Sequence, residues 1–252
     1  VKSETTSQGV KVPEATLLFW ILKILATTLG ETGGDAVTMT LGWGYLLGTL
    51  LFAALFAVVV VVQTTRRTFH PVVYWLAIVS TTTVGTTLAD FADRSLGIGY
   101  LGGTTLLVAL LALSLFAWWK GTGSIAVGSV STPRAEIHYW VAILFSQTLG
   151  TALGDWTADS LDMGYLGASA LFGGLLAAIA LLRLWPRVPR AGLFWAAFIL
   201  TRPLGAVLGD FLDKPHDQGG LALSRFGATS VLLGLLAAGV LLLPQRAATR
   251  SH

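Results

Sequence analysis

Cysteine is absent from the 252 residues, which excludes disulfides, thiol nucleophiles and thiolate metal sites. Charge is scarce as well. Charged residues make up 12% of the chain and hydrophobic residues 54%, roughly half the charge of an ordinary soluble domain. No phosphate loop, dinucleotide fingerprint or zinc-protease spacing is present, and no Ser and His fall at matching depth, so the sequence argues against an enzyme. The formal net charge of +3 does not indicate a nucleic-acid partner, because the bases are distributed along the chain and form no groove-like patch.

What the chain has instead is long apolar runs. Leu46–Val62, Leu101–Trp119, Leu166–Leu182 and Leu221–Leu243 are nearly free of charge, and each is long enough to cross a hydrocarbon layer of ~30 Å. They predict a polytopic membrane protein whose surroundings are the lipid bilayer. A β-barrel does not fit, since the runs lack sustained alternation.

A repeat organises these runs. Trp20–Asp35 (WILKILATTLGETGGD) returns as Trp75–Asp90, Trp140–Asp155 and Trp195–Asp210, starting 55, 65 and 55 residues apart. Each copy keeps ten residues from Trp to Gly and five from Gly to Asp. A Gly-Tyr-Leu follows the first three (Gly44, Gly99, Gly164), and Gly220-Leu221 follows the fourth. The unit is two apolar segments joined by a short turn, used four times. The predicted fold is therefore all-α and polytopic, with about eight transmembrane helices from four direct two-helix repeats. Spans are expected near 14–35, 43–63, 72–91, 98–119, 136–156, 163–183, 191–211 and 219–243.

The predicted organisation is a disordered cytoplasmic segment at 1–12, a first half at 13–119, a Gly/Ser-rich cytoplasmic linker at 120–135, a second half at 136–243 and a cytoplasmic tail at 244–252. Eleven bases (Lys2, Lys11, Arg66, Arg67, Lys120, Arg134, Arg183, Arg187, Arg190, Arg246, Arg250) fall on one side, against Arg94, Lys214 and Arg225 on the other. This asymmetry places both termini in the cytoplasm. Trp20, Trp75, Trp140 and Trp195 are then expected in an aromatic belt at the cytoplasmic interface.

Four glycine pairs, or a glycine and an alanine, recur before the aspartates: Gly30/Gly34, Gly85/Ala89, Gly150/Gly154 and Gly205/Gly209. Small residues four apart let helices approach closely in lipid, so the odd spans are expected to be the inner ones. Steps of four place Asp35, Glu31, Thr27 and Lys23 on one face, with Asp90/Thr86, Asp155/Thr151/Gln147 and Asp210/Arg202 on the equivalent faces. The five carboxylates Glu31, Asp35, Asp90, Asp155 and Asp210 outnumber Lys23 and Arg202 by a formal −3, unfavourable in a low dielectric unless a cation or protons bind. Their oxygens are hard ligands suited to Mn²⁺, Mg²⁺ or Ca²⁺, with manganese ranked first.

The site expected from sequence is therefore Glu31, Asp35, Asp90, Asp155 and Asp210 as metal ligands, with Lys23, Thr27, Thr86, Gln147, Thr151 and Arg202 as accessory or gating groups. The leading function is transport of a divalent cation, with proton exchange compatible and no tightly bound cofactor. The alternative is a structural or sensory membrane protein whose aspartates hold helices together. Within the site, Asp210 is expected to be partly committed to Arg202, and Glu31 to reinforce Asp35. Homo-oligomers are compatible with either function.

The pattern W-x9-G-x3-(G/A)-D followed by Gly-Tyr-Leu resembles a family of bacterial multi-pass proteins known as conserved membrane-anchored proteins of unknown function. The resemblance spans about residues 13–243 and implies the bacterial cytoplasmic membrane. It implies no activity. Pro203 and the missing Tyr set the fourth copy apart.

Overall fold

A computed structural model describes residues 10–248. The described chain forms eight α-helices: α1 (Leu17–Asp35), α2 (Gly44–Thr65), α3 (Pro71–Asp90), α4 (Tyr100–Thr122), α5 (Pro133–Asp155), α6 (Gly164–Leu182), α7 (Arg190–Asp213) and α8 (Arg225–Leu242). Local chemistry sets several starts. Thr16, Thr132 and Ser224 accept amide hydrogen bonds from Phe19, Ala135 and Gly227, and Pro71 and Pro133 occupy first-turn positions whose amides would be unbonded anyway.

The four motif helices form an inner ring in chain order. Helix α1 packs on α3 and α7, and α5 packs on the same two. Each even helix leans on the odd helix that follows it: α2 on α3, α4 on α5 and α6 on α7. Helix α8 packs on α1, completing a closed pseudo-fourfold arrangement. The odd helices run parallel, from a Trp end to an Asp end.

Six helices are long and apolar enough to cross a membrane, and the chain is a membrane protein of four repeats. Helices α1 and α5 fall outside that criterion. Their polar residues, among them Lys23, Glu31, Gln147 and Asp155, are buried in the ring and never meet lipid. The even helices are the lipid-facing ones: α2 exposes Leu46, Leu47, Leu50 and Leu51.

The glycine of Gly-Tyr-Leu has a conformational reason. Gly44, Gly99 and Gly164 have φ of 74°, 75° and 62°, a left-handed region costly for other residues, where the chain reverses into the even helix. In the fourth repeat, a Cβ at Gly220 would lie 2.6 Å from the Lys214 carbonyl carbon. That loop bonds back to the end of α7 through Leu221, Ala222 and Leu223, so α8 starts at Arg225 and not near 219.

Two further sequence expectations change. Three of the four motif tryptophans leave the expected interfacial belt: Trp75, Trp140 and Trp195 are 2%, 2% and 3% exposed, while Trp20 stays half-buried. They form an aromatic plug at the Trp end with Phe19, Trp118 and the Tyr74–Tyr139 hydroxyl pair at 2.7 Å. Residues 10–12, expected in a disordered segment, are buried. Lys11 meets Glu136 at 2.6 Å and, at the end of α2, the carbonyls of Thr64 and of Arg66 just past the helix; the rest of that segment, 1–9, lies outside the described residues. The final segment is also tied down, with Glu14 N donating to Arg246 O and Ala248 N to Val12 O. Its last part, 249–252, lies outside the described residues.

Candidate functional site

The motif spacing is an interlocking device. Counting back from each aspartate, the residue at −8 is Thr27, Thr82, Gln147 or Arg202, and each abuts the motif glycine of the preceding inner helix. Thr82 meets Gly30, Gln147 meets Gly85, Arg202 meets Gly150 and Thr27 meets Gly205. One turn further, Thr86 meets Gly34, Ala206 meets Gly154 and Glu31 meets Gly209. The small residues thus serve packing, and what they admit is a column of buried polar side chains.

Arg202 is the tie in that column. It is fully buried, and its Nη2 lies 2.9 Å from Glu31 Oε2, 2.6 Å from Thr86 Oγ1 and 2.5 Å from Thr151 Oγ1. One nitrogen therefore contacts each of the other three inner helices. The expected commitment of Asp210 to Arg202 is not present: Arg202 pairs with Glu31 of the adjacent α1, one turn beneath the aspartate layer. Glu31 is thus engaged with a base and does not join Asp35 as a free ligand. Lys23, also fully buried, lies 3.5 Å from Gln147 Oε1, 3.4 Å from Thr201 Oγ1 and 4.2 Å from the centre of the Phe198 ring. Thr27 spends its hydroxyl on the carbonyls of Lys23, Ile24 and Thr201.

The four aspartates gather at the other end, each 5% exposed or less. Two bases bridge them in pairs. Arg94 is 2.9 Å from Asp90 and 3.7 Å from Asp155. Lys214 is 3.1 Å from Asp210 and 3.2 Å from Asp35. Arg225 adds contacts to Asp213 at 3.0 Å and Asp35 at 3.8 Å. Each bridge runs from an even-numbered repeat to the next in the ring, so the charge pattern is twofold where the backbone is fourfold.

These bases and Asp213 were missed from sequence, although Arg94 and Lys214 sit four residues beyond Asp90 and Asp210, the spacing of helical ion pairs. Including them changes the electrostatics. Six carboxylates now face five bases (Lys23, Arg94, Arg202, Lys214, Arg225), a formal −1 in place of −3. One corner gathers three of these carboxylates. Asp35, Asp210 and Asp213 each offer a carboxylate oxygen within 4.8 Å of the others. Asp35 Oδ1 and Asp213 Oδ1 are buried with no hydrogen-bond partner among the described residues. Asp90, Asp155 and Glu31 stand outside this group.

Each of the four repeats matches one family model, described as a repeat of unknown function (DUF347), at residues 18–69, 73–123, 138–188 and 193–246. The chain belongs to the DUF347 family. The DUF347 matches each begin two residues before the motif Trp and run through the following even helix, so the family unit is the same odd–even helix pair that builds the ring. No functionally described protein and no solved structure matches the chain.

Proposed function

We propose that this DUF347 protein transports a hard divalent cation through the acidic corner formed by Asp35, Asp210 and Asp213. The observation that carries the reading is the convergence of three buried carboxylates, of which Asp35 and Asp210 are held by the Lys214 ammonium and Asp213 by Arg225. Lys214 stands in for a cation there. It lies one residue past α7 in extended conformation, so its side chain can leave without unwinding a helix. Once it leaves, three carboxylates against Arg225 give a formal −2, the charge a divalent ion neutralises. Carboxylate oxygens favour Mn²⁺, Mg²⁺ or Ca²⁺ over soft metals. Competition between Lys214 and the ion supplies a two-state element, and protons titrating the same carboxylates supply a coupling ion. The asymmetry of bases orients the Asp end outward, with both termini in the cytoplasm of a bacterium.

A second reading rests on a different observation: every motif aspartate already has a basic partner. On that reading the ion pairs hold helix ends together and nothing is transported.

Flux of Mn²⁺, Mg²⁺ and Ca²⁺ into vesicles containing the purified protein separates the two. Transport predicts saturable flux of at least one ion, lost in Asp35→Asn. Lys214→Ala should bind that ion about tenfold more tightly, a gain of ~1.4 kcal/mol from removing the competitor. No saturable flux, with both variants changing only the melting temperature, would establish the structural reading.

A further inference from the structure

At the Trp end the ring has an uncovered seam. Helices α8 and α2 lean past the inner helix they pack on and reach the next one, α3 and α5 respectively. Helices α4 and α6 make no comparable contact with the next inner helices, α7 and α1. The seam between α7 and α1 is left as a groove of about 520 Å³, within the roughly 300–1,000 Å³ typical of ligand clefts. Ile24, Leu176, Ile179, Leu193 and Ala197 line it along the helices, and Trp20 stands at one side. Two arginines, Arg183 at the end of α6 and Arg190 at the start of α7, sit on its rim. Both are exposed, and among the described residues neither is paired with a carboxylate. Glu14 also borders the groove and is exposed.

We infer that this groove binds an anionic phospholipid, its phosphate between Arg183 and Arg190 and one acyl chain along the α1–α7 seam. The chemistry is divided as in such a lipid: apolar walls along the spans, and a pair of guanidiniums where the helices end. Guanidinium is the side chain suited to bidentate phosphate contacts, and basic clefts between transmembrane helices are a known form of anionic headgroup site. A zwitterionic lipid would bring its own ammonium to a rim that already carries two bases. The acyl chain would reach Thr201 on the groove floor, whose hydroxyl lies 3.4 Å from Lys23 Nζ, and so would seal the inner polar column from the bilayer. This inference is independent of cation transport.

The test uses the full chain purified in neutral detergent, titrated with phosphatidylglycerol or phosphatidylcholine of identical acyl chains. At a hundredfold excess over Kd, phosphatidylglycerol is expected to raise the melting midpoint by about 5–10 °C, with a clearly smaller rise for phosphatidylcholine. Native mass spectrometry should retain one phosphatidylglycerol per protein. Arg183→Gln/Arg190→Gln, at two exposed positions, should leave the lipid-free midpoint unchanged and abolish the difference between the lipids. Ala180→Trp, which projects from the exposed groove wall, should reduce the effect of both lipids. Equal effects of the two lipids, a full phosphatidylglycerol effect in the double variant, or the same rise with inorganic phosphate alone would each overturn the inference.

Discussion

Gly85 and Gly33 both lie inside helices of the inner ring, yet a methyl group should affect them in opposite directions. A Cβ at Gly85 would lie 2.8 Å from the carbonyl carbon of Gln147 and 2.9 Å from the amide of Thr148. Those are backbone atoms of α5, so relief requires moving a helix. At Gly33 the nearest atom is the Thr229 methyl at 3.7 Å, an ordinary contact. Gly85→Ala is expected to destabilise by about 1–3 kcal/mol, the usual range for overpacking. Gly33→Ala should gain up to ~1 kcal/mol from helix propensity. Reversible unfolding in mixed micelles measures both, and equal losses would contradict the interlocking arrangement. The same logic explains the motif at the level of single atoms: its glycines are fixed by what the neighbouring helix inserts against them.

Between elements, the Arg202–Glu31 pair joins α7 to α1 while the same guanidinium touches α3 and α5. Removing one partner of a buried pair leaves an uncompensated charge and commonly costs about 3–5 kcal/mol, whereas replacing both can be nearly neutral. Glu31→Gln is therefore expected to destabilise strongly. Glu31→Gln/Arg202→Met should recover most of the loss, and additive losses would rule out coupling. The helix ends differ in a related way. After Asp35, Asp90 and Asp155 the chain continues as a five-residue π-helical turn, at Ala36–Thr40, Phe91–Ser95 and Trp156–Ser160. Helix α7 instead runs on to Asp213 and then extends. That difference places Asp213 beside Asp210 and brings Lys214 onto Asp210 and Asp35, which is why the acidic corner forms at the fourth repeat and not at all four.

For the molecule as a whole, the ring has no natural beginning. Helix α8 packs on α1 as each earlier even helix packs on its successor, and the terminal segments meet at an antiparallel Pro13–Ala247 bridge. Paired residues in such a bridge are about 5 Å apart, so a short Gly/Ser linker can join residue 248 to residue 10. A permutant opened in the 123–132 connection and joined there is expected to fold, with unchanged helical content by circular dichroism and a melting midpoint within a few degrees of the original. Aggregation of the permutant with loss of helix would show that the order of helix insertion, and not ring closure, governs folding.

Helix number, approximate boundaries and membrane character were legible along the chain because they depend on local quantities: run length, capping residues and a four-residue periodicity. The acidic face was legible for the same reason, since residues at −4 and −8 from each aspartate must share a side of one helix. Partnership was not legible. Arg94 and Lys214 announce Asp90 and Asp210 through i,i+4 spacing, but their second carboxylates, Asp155 and Asp35, come from neighbouring helices brought close by the glycine contacts. The motif tryptophans suit an interfacial belt or an aromatic plug equally well by type and position. Rotation of each helix about its axis, fixed by Thr82 on Gly30 and its three counterparts, turned Trp75, Trp140 and Trp195 inward. Ring closure by α8 on α1 likewise pairs residues some 200 positions apart, such as Thr32 and Thr229, beyond the reach of any local pattern, and rests on packing against α1 and α3.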